Sequence, residues 1–276
     1  MIMAAMVPGC APRGPLPAPA TPPAEKPVVT NEVTARDALV QFSLIAALAA
    51  GDYEAGTPLA DVVRSGDFGV GTFSGLDGEM IVLDGKIYQA LADGTVRAAD
   101  MAGATPFACV TFVAEDGRVE HFAASSLEDL DEHLDQKLPH RNTPYAIRVD
   151  GEFAELTLRS VPAQSPPFEP LVDVVKQQVT WENRNVRGSL VGLRCPGWFG
   201  TLNVAGYHWH FLSDDRKVGG HVLACKFADG LLRFDECTSV VIHLPRTREF
   251  DEFDIREIQT HDIDKIERQR APAEKP

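Results

Sequence analysis

The amino-acid sequence contains no run of about 18 consecutive apolar residues, the length that a membrane-spanning helix requires. It is also short of positive charge, with 26 Lys and Arg against 40 Asp and Glu, a formal net charge of -14 and a pI of about 5.0. Nucleic acids are therefore excluded as partners, because binding them requires a basic surface. The five cysteines include no Cys-x-x-Cys pair, which argues against a disulfide framework and against a cysteine-based zinc site.

Length and composition are those of a soluble globular protein. The chain has 276 residues, of which 44% are hydrophobic and 24% charged. This length suffices for one large domain or two medium ones. A proline-rich break at residues 161–170 is the best candidate boundary. We therefore expect a tail at 1–30, a mixed-sheet subdomain at 31–165 and a β-rich metal-binding subdomain at 166–276.

Short apolar runs separated by Asp-Gly turns predict a strand-rich fold. Strands are predicted at 69–73, 79–83, 86–91, 95–98, 107–114, 145–149, 153–160, 186–194, 206–212, 219–227, 231–234, 238–244 and 253–257. Helices are predicted at 34–50, 58–64, 125–134, 171–179 and 262–270. Because few helices interrupt the strands, the fold class is α+β, with mostly antiparallel or mixed sheet in two closely packed subdomains.

The first 30 residues have a composition of their own. Seven prolines follow Cys10 within this segment, so it cannot bury a core, and we expect a disordered or extended tether. Val7-Pro-Gly-Cys10 is similar to a bacterial lipoprotein cleavage site, but the basic and long apolar regions of a signal peptide do not precede it. We expect a cytoplasmic protein, with lipid anchoring or export through Cys10 as the alternative.

Three histidines form the most informative pattern of the chain. His208 and His210 are two residues apart in a β-forming run, so their side chains point to the same face of a strand. The polar, glycine-containing stretch 213–220 predicts a hairpin that brings His221 beside them. Three imidazoles on rigid strands are typical of a catalytic zinc site. Histidines on strands that only bond a backbone carbonyl are the competing interpretation.

Further residues are suited to complete such a site, but the local pattern does not select them. Thr72 offers a hydroxyl, and Glu79 follows a tight turn, where it would equally well be a solvated strand end. Arg148 and Arg159 lie on successive predicted strands, and either guanidinium can hold a carboxylate. Glu267 belongs to the predicted closing helix, where an exposed charge is the ordinary expectation.

An ordered set of motifs from about residue 41 to residue 267 resembles the α-acetolactate decarboxylase family. The motifs are Gly71-Thr-Phe73, Leu76-Asp-Gly-Glu79, Tyr145-Ala-Ile-Arg-Val-Asp-Gly-Glu-Phe153, Arg159-Ser-Val161, Asn185-Val-Arg-Gly-Ser-Leu-Val-Gly192, Gly206-Tyr-His-Trp-His-Phe211 and Gly219-Gly-His-Val222. Each one alone is weak, whereas their order along nearly the whole chain is specific. The proline-rich start departs from the family pattern.

The resemblance implies an activity and a set of residues. It implies decarboxylation of 2-acetolactate, a 2-hydroxy-3-keto acid, to acetoin and carbon dioxide, in a homodimer. It places zinc on His208, His210 and His221. It also implies active-site roles for Thr72, Glu79, Glu267 and Arg159, with Arg148 as the less favoured arginine. Two alternatives remain open: a metal-binding protein without catalysis, and a zinc hydrolase, although no His-Glu-x-x-His motif is present.

Overall fold

The computed structural model describes residues 37–54, 56–113 and 118–254, together with Ile263 and Ile266. All of these residues belong to one compact unit, Val33–Pro276. The expected tail at 1–30 and Glu267 lie outside the described residues. The division into subdomains at residues 161–170 stays a prediction.

Fifteen strands and five short helices follow one another along the described part of the chain. The strands are β1 (Ala38–Phe42), β2 (Thr57–Pro58), β3 (Phe68–Thr72), β4 (Glu79–Leu83), β5 (Lys86–Ala90), β6 (Val96–Ala98), β7 (Ala104–Thr105), β8 (Ala108–Thr111), β9 (Arg118–Ala124), β10 (Tyr145–Ser160), β11 (Val179–Asn183), β12 (Val186–Cys195), β13 (Gly206–Ser213), β14 (Gly219–Glu236) and β15 (Ser239–His243). The helices are α1 (Ile45–Ala49), α2 (Leu59–Ser65), α3 (Leu127–Lys137), α4 (Leu171–Val174) and α5 (Arg248–Glu252). The predicted α+β class is confirmed. Within the described residues no helix combines the length and the apolar character needed to cross a bilayer.

Two sheets form the framework. The first has seven strands in the order β15-β1-β8-β3-β4-β5-β6, and the second has six in the order β11-β10-β12-β13-β14-β9. Strands β10 and β14 also pair with each other. Neighbouring strands are antiparallel in both sheets, except for the parallel pair of β1 and β15. The mixed, mostly antiparallel pairing agrees with the sequence-based expectation.

The central strands β12 and β13 of the second sheet are buried on both faces. Successive residues of β12 and β13 alternate between two apolar clusters, as the pleat of a strand requires. Leu190 and Phe211 pack toward α3, whose Leu130 and Leu134 are fully buried. Val191 and Leu212 pack on the other side, against core residues of the first sheet. Burial of apolar surface thus joins the two sheets face to face.

The helix predicted at 34–50 is wrong in its first half. Residues Ala38–Phe42 form β1, which lies between β8 and the parallel strand β15. Ser43 then adopts a positive φ of 63°, and only Ile45–Ala49 is helical. The apolar spacing of this segment fits a helix as well as a buried strand, and periodicity cannot separate the two. Pairing with strands about 70 and 200 residues away decides the outcome.

Other boundaries also differ from the prediction. Asp150-Gly151 is not a turn, because β10 runs through it, and β14 likewise joins the strands predicted at 219–227 and 231–234. Both strands carry register shifts, which let a long strand bend without ending. Strand β9 was not predicted. Helix α4 is only four residues long and passes into a short 3-10 turn.

The strand predicted at 253–257 and the helix predicted at 262–270 lie only partly within the described residues. Phe253 follows helix α5 and is not in a strand, and residues 255–257 lie outside the described residues. In the helix predicted at 262–270, Ile263 and Ile266 are helical and buried in an apolar cluster.

Candidate metal centre and active site

Three histidine side chains converge on the face of the second sheet that meets the first sheet. His208 and His210 lie on β13, on the same face as Leu212, and His210 is the cross-strand partner of His221 on β14. Their ring centroids are 4.9, 5.1 and 5.4 Å apart, and their relative exposures are 6%, 0% and 2%. One nitrogen of each ring lies within 4.8 Å of the others. The hairpin 213–220 therefore brings the three histidines together.

The donor set fits a zinc ion. The Nδ1 atom of His210 donates to the backbone carbonyl of Met80 at 2.7 Å, which leaves its Nε2 lone pair available as a ligand. The Nε2 atoms of His208 and His210 are 3.2 Å apart. Two nitrogens on a tetrahedral zinc ion are separated by about 3.3 Å at ordinary bond lengths. The nitrogen spacing of this pair and the tautomer of His210 both match what zinc requires.

The environment keeps the His208 and His210 rings neutral. Burial lowers the pKa of His208 to about 3, and the positive charge of Arg159 adds to this effect. Burial also lowers the pKa of His210 far below its ordinary value, assisted by His208 and Arg159 and opposed by the bond to Met80. Neutral imidazole is the form that binds a metal, so the site is prepared for a cation across the physiological pH range.

An arginine–glutamate pair faces the histidines from two different sheets. Arg159 on β10 donates from Nη1 to Oε1 of Glu79 on β4 at 3.1 Å. The other carboxylate oxygen of Glu79 lies 3.4 Å from Nε2 of His210. The side chains of Arg159 and Glu79 are 4% and 10% exposed. Glu79 is therefore a buried member of the site, and its interpretation as a solvated strand end is wrong.

A tight turn places Thr72 opposite Glu79. The two residues are cross-strand partners at the ends of β3 and β4. Between them Gly78 adopts a φ of 89°, and a Cβ atom there would lie 2.5 Å from the carbonyl oxygen of Ala90, so only glycine fits. The Thr72 hydroxyl donates to the carbonyl of Gly78 at 2.8 Å, which fixes its rotamer. The local sequence thus holds a hydroxyl and a carboxylate side by side.

A second glycine lets Arg159 approach the histidines. Arg159 and His221 are partners in the register of β10 and β14. Gly220 adopts a φ of 149°, and a Cβ atom there would lie 2.8 Å from the carbonyl oxygen of Arg159. A larger residue would push the two strands apart beside the three histidines.

The two candidate arginines have different surroundings. Arg148 donates from Nε to Asp150 at 2.8 Å and from Nη1 to Asp84 at 2.7 Å, and so links the second sheet to the turn after β4. It does not line the cavity at the histidines, whereas Arg159 does. Arg148 therefore has a structural contact of its own, and the geometry favours Arg159 as the arginine of the site.

A small cavity of about 40 Å³ opens beside these polar groups. Its described polar lining comes from Thr72, Glu79, Arg159 and His208. Its apolar lining was not predicted from the sequence and comprises Ile45, Leu48, Leu76, Phe107, Val161, Leu171, Val175 and Ile266. Glu267 follows Ile266 but lies outside the described residues. No local motif distinguishes these apolar residues from ordinary core residues, so only the fold identifies them.

Comparison of the sequence with known proteins finds relatives over most of the chain. The sequence profile described as alpha-acetolactate decarboxylase matches residues 39–257. The chain is 38% identical to the alpha-acetolactate decarboxylase of Methanosarcina mazei over 242 residues, which covers 88% of this chain and 83% of that protein. It is 41% identical to the alpha-acetolactate decarboxylase of Klebsiella aerogenes over 212 residues, covering 77% and 82% of the two chains.

A solved structure adds the fold to this likeness. The crystal structure of alpha-acetolactate decarboxylase from Bacillus subtilis strain 168 superposes with a TM-score of 0.80 at 32% identity. The superposition covers 85% of this chain and all of that one. Sequence and fold lead to one conclusion: the chain belongs to the alpha-acetolactate decarboxylase family.

Proposed function

We propose that this protein decarboxylates 2-acetolactate to acetoin and carbon dioxide, with zinc held by His208, His210 and His221. One observation supports this above the others. The cluster of three histidines lies next to the buried Arg159–Glu79 pair, and His208, Arg159 and Glu79 line one cavity, in a chain that belongs to a decarboxylase family. The substrate is a small 2-hydroxy-3-keto acid, and no organic cofactor is required.

The reaction needs a place for the electrons of the breaking bond. Loss of carbon dioxide from 2-acetolactate leaves an electron pair on the carbon next to the ketone, and this pair must be drawn toward the ketone oxygen. A zinc ion, when bound by the three histidines, supplies the Lewis acid that polarises such a carbonyl. The low pKa values of His208 and His210 suit them to this role, because they keep the ligand nitrogens unprotonated.

Arg159 is the residue suited to orient the departing carboxylate. Its planar guanidinium keeps its charge and offers several N–H donors to two oxygens at once. Since the side chain is only 4% exposed, its charge acts through a medium of low dielectric constant. A carboxylate bound there is held in one orientation, and negative charge that moves during the reaction stays stabilised.

Glu79 is suited to supply the proton that completes acetoin. Its carboxyl group lies between Arg159 and His210, within 3.1 Å of the first and 3.4 Å of the second. An acid fixed in this way protonates the product carbon from one face only, which produces one enantiomer. Glu267 is the second acid that we propose, since Ile266 before it lines the cavity. We assign Thr72 to hydrogen bonding with the substrate.

The apolar part of the cavity serves the same chemistry. Leu48, Leu171, Val175 and Ile266 line the cavity together with the polar groups. They limit the water that reaches the reacting carbon and strengthen each electrostatic contact within the cavity.

Incubation of the purified protein with racemic 2-acetolactate tests the proposal. We expect release of acetoin and carbon dioxide, loss of both after treatment with a chelator, and recovery on adding zinc. Bound zinc without product would favour the non-catalytic metal-binding alternative. Hydrolysis of ester or amide substrates without acetoin formation would favour the hydrolase alternative.

We also propose a homodimer. Strand β15 stands at one edge of the seven-stranded sheet, and its Val241 and Ile242 are exposed, as is Leu244 just after it. Within the described residues no further strand pairs with that edge. An exposed apolar edge invites pairing with a second chain. Sedimentation of the wild-type protein and of Ile242→Lys tests this, since a dimer through β15 should dissociate in the variant.

The compartment stays a prediction. We propose that the protein acts in the cytoplasm, with anchoring through Cys10 as the alternative. Expression of the gene with its natural upstream region, followed by fractionation of wild type and Cys10→Ser, tests it. Membrane association that Cys10→Ser abolishes would establish the alternative.

A further inference from the structure

A second cleft lies where helix α1 ends and the chain passes from Ala50 to Glu54. It encloses about 280 Å³. Among the described residues, none lines both this cleft and the cavity at the histidines. The decarboxylation chemistry proposed above does not use it.

One wall of the cleft is apolar and firmly held. The rings of Tyr53 and Phe168 meet edge to face with centroids 5.2 Å apart. The Tyr53 hydroxyl donates to the carbonyl of Glu169 at 2.9 Å, and the ring is fully buried. Pro166, Pro167 and Phe253 extend this wall. The surface is suited to the hydrocarbon part of a ligand.

The polar lining carries charge of one sign. Asp52, Glu54 and Glu249 all border the cleft, and the described lining includes no lysine, arginine or histidine. Arg248, next to Glu249, is bonded to Glu252 at 2.8 Å instead. The cleft therefore presents a negative potential beside an aromatic surface.

Asp52 is the buried group of this cleft. It is 5% exposed, and its Oδ2 atom accepts a hydrogen bond from the Thr247 hydroxyl at 2.9 Å. Its Oδ1 atom is buried and has no hydrogen-bond partner among the residues that the structure describes. Burial raises the pKa of this carboxyl, the Thr247 bond opposes the rise, and the charges of Glu249 and Glu54 add to it. A buried carboxylate oxygen without a donor is costly, and a bound cation would remove that cost.

We propose that this cleft binds a small organic ammonium ion, whose N–H groups bond Asp52 and whose hydrocarbon part packs on Phe168, Pro166 and Pro167, with Tyr53 supporting Phe168 from behind. An ammonium ion needs few acceptors and gains from an aromatic face nearby. Calcium, by contrast, takes about six to eight oxygen ligands, and prolines and aromatic rings make up much of this lining. The lining thus favours an organic cation over a bare metal ion.

Benzylammonium is a suitable probe, and benzyl alcohol is its neutral analogue of the same shape. We expect saturable binding of benzylammonium to the wild-type protein, measured by calorimetry at pH 7.5, and no comparable binding of benzyl alcohol. Asp52→Asn should weaken benzylammonium binding about tenfold or more, which corresponds to about 1.4 kcal/mol. Asp93→Asn, which alters an exposed carboxylate outside the cleft lining, is the matched control and should leave the affinity unchanged.

Acetoin formation by Asp52→Asn verifies that the variant is folded, because Asp52 does not line the catalytic cavity. Should Asp52→Asn fold poorly, the exposed pair Glu54→Gln and Glu249→Gln replaces it, and together these changes should weaken binding severalfold. Absence of binding to wild type, equal affinity for benzyl alcohol, or unaltered affinity in the variants would overturn the proposal. Binding of calcium in place of benzylammonium would overturn the ligand class.

Discussion

The Nε2 atom of His210 lies 3.4 Å from a carboxylate oxygen of Glu79, although the two residues belong to different sheets. The same His210 ring bonds Met80, the neighbour of Glu79, through its other nitrogen. A single side chain of the second sheet therefore touches two successive residues of β4. The position of the candidate acid relative to the candidate metal ligands is fixed by this double contact.

Metal content should depend on His208. The purified protein is expected to carry about one zinc per chain, and His208→Ala should remove most of it, because only two of the three histidine ligands remain. Elemental analysis of both proteins measures this. His121→Ala is the matched control, since the His121 side chain is 70% exposed and bonds Asp229 on the surface. Stoichiometric zinc in His208→Ala would contradict the assigned ligands.

Glu79→Gln should lower turnover by about 10²-fold or more, because glutamine keeps the shape and the acceptor for Arg159 but cannot transfer a proton. Steady-state kinetics of acetoin release, with thermal melting as a test of folding, gives the result. Glu155→Gln changes an exposed glutamate of β10 and should keep the wild-type rate. An unaltered rate in Glu79→Gln would leave Glu267 as the acid.

Substitution of Arg159 should reduce activity, whereas substitution of Arg148 should not. Arg159→Ala is expected to reduce kcat/KM by about 10²-fold or more, since it removes the charge that orients the carboxylate. Arg148→Ala should keep the activity, because Arg148 contacts Asp84 and Asp150 rather than the cavity. Activity in Arg159→Ala together with inactivity in Arg148→Ala would reverse the assignment.

The metal-free protein should lose stability in acid. The pKa of His208 is about 3 in the folded protein and about 6.5 when unfolded, so between these values the unfolded chain binds more protons. The contribution of His208 to the free energy of unfolding is therefore intact above pH 6.5 and falls as the pH drops toward 3. Urea unfolding of chelator-treated protein at several pH values measures the slope of the free energy of unfolding against pH. His208→Gln should make it shallower, by at most about 1.4 kcal/mol per pH unit, whereas His121→Gln should not.

Gly220→Ala should be more harmful than Gly94→Ala. Both glycines adopt a positive φ, so both changes strain the backbone, typically by about 1–3 kcal/mol. A Cβ atom at Gly220 also approaches the carbonyl of Arg159 to 2.8 Å, whereas nothing lies within 4 Å at Gly94. Thermal melting and the acetoin assay compare the two. Equal losses of stability with full activity would show that this approach of the strands does not matter to the site.

Much of the fold and of the site can be predicted from the sequence because the relevant signals are local. His208, His210 and the hairpin to His221 lie within fourteen residues, and strand alternation alone places the first two on one face. Strand β4 begins where its Asp-Gly turn indicates, and α3 overlaps the helix predicted at 125–134, with Ser126 capping its first turn.

The features of the fold and of the site that the sequence does not predict depend on contacts between residues far apart in the chain. Strand β1 resembles the start of a helix until β8 and β15 are placed beside it. The burial of Glu79 and its contact with Arg159 arise only when two sheets meet face to face, 80 residues apart in sequence. The apolar lining of the cavity, such as Leu171 and Val175, has the same composition as any core and is defined only by its neighbours.

The sequence separation of these contacts has a consequence for folding. The three histidines belong to one hairpin, so the loop that must close to assemble them is short, and closing short loops is fast. The Arg159–Glu79 contact instead waits for the two sheets to dock. A partly folded chain can therefore gather the metal ligands before it has the acid and the arginine. We therefore expect zinc binding to require the hairpin alone, whereas catalysis also requires the docked sheets.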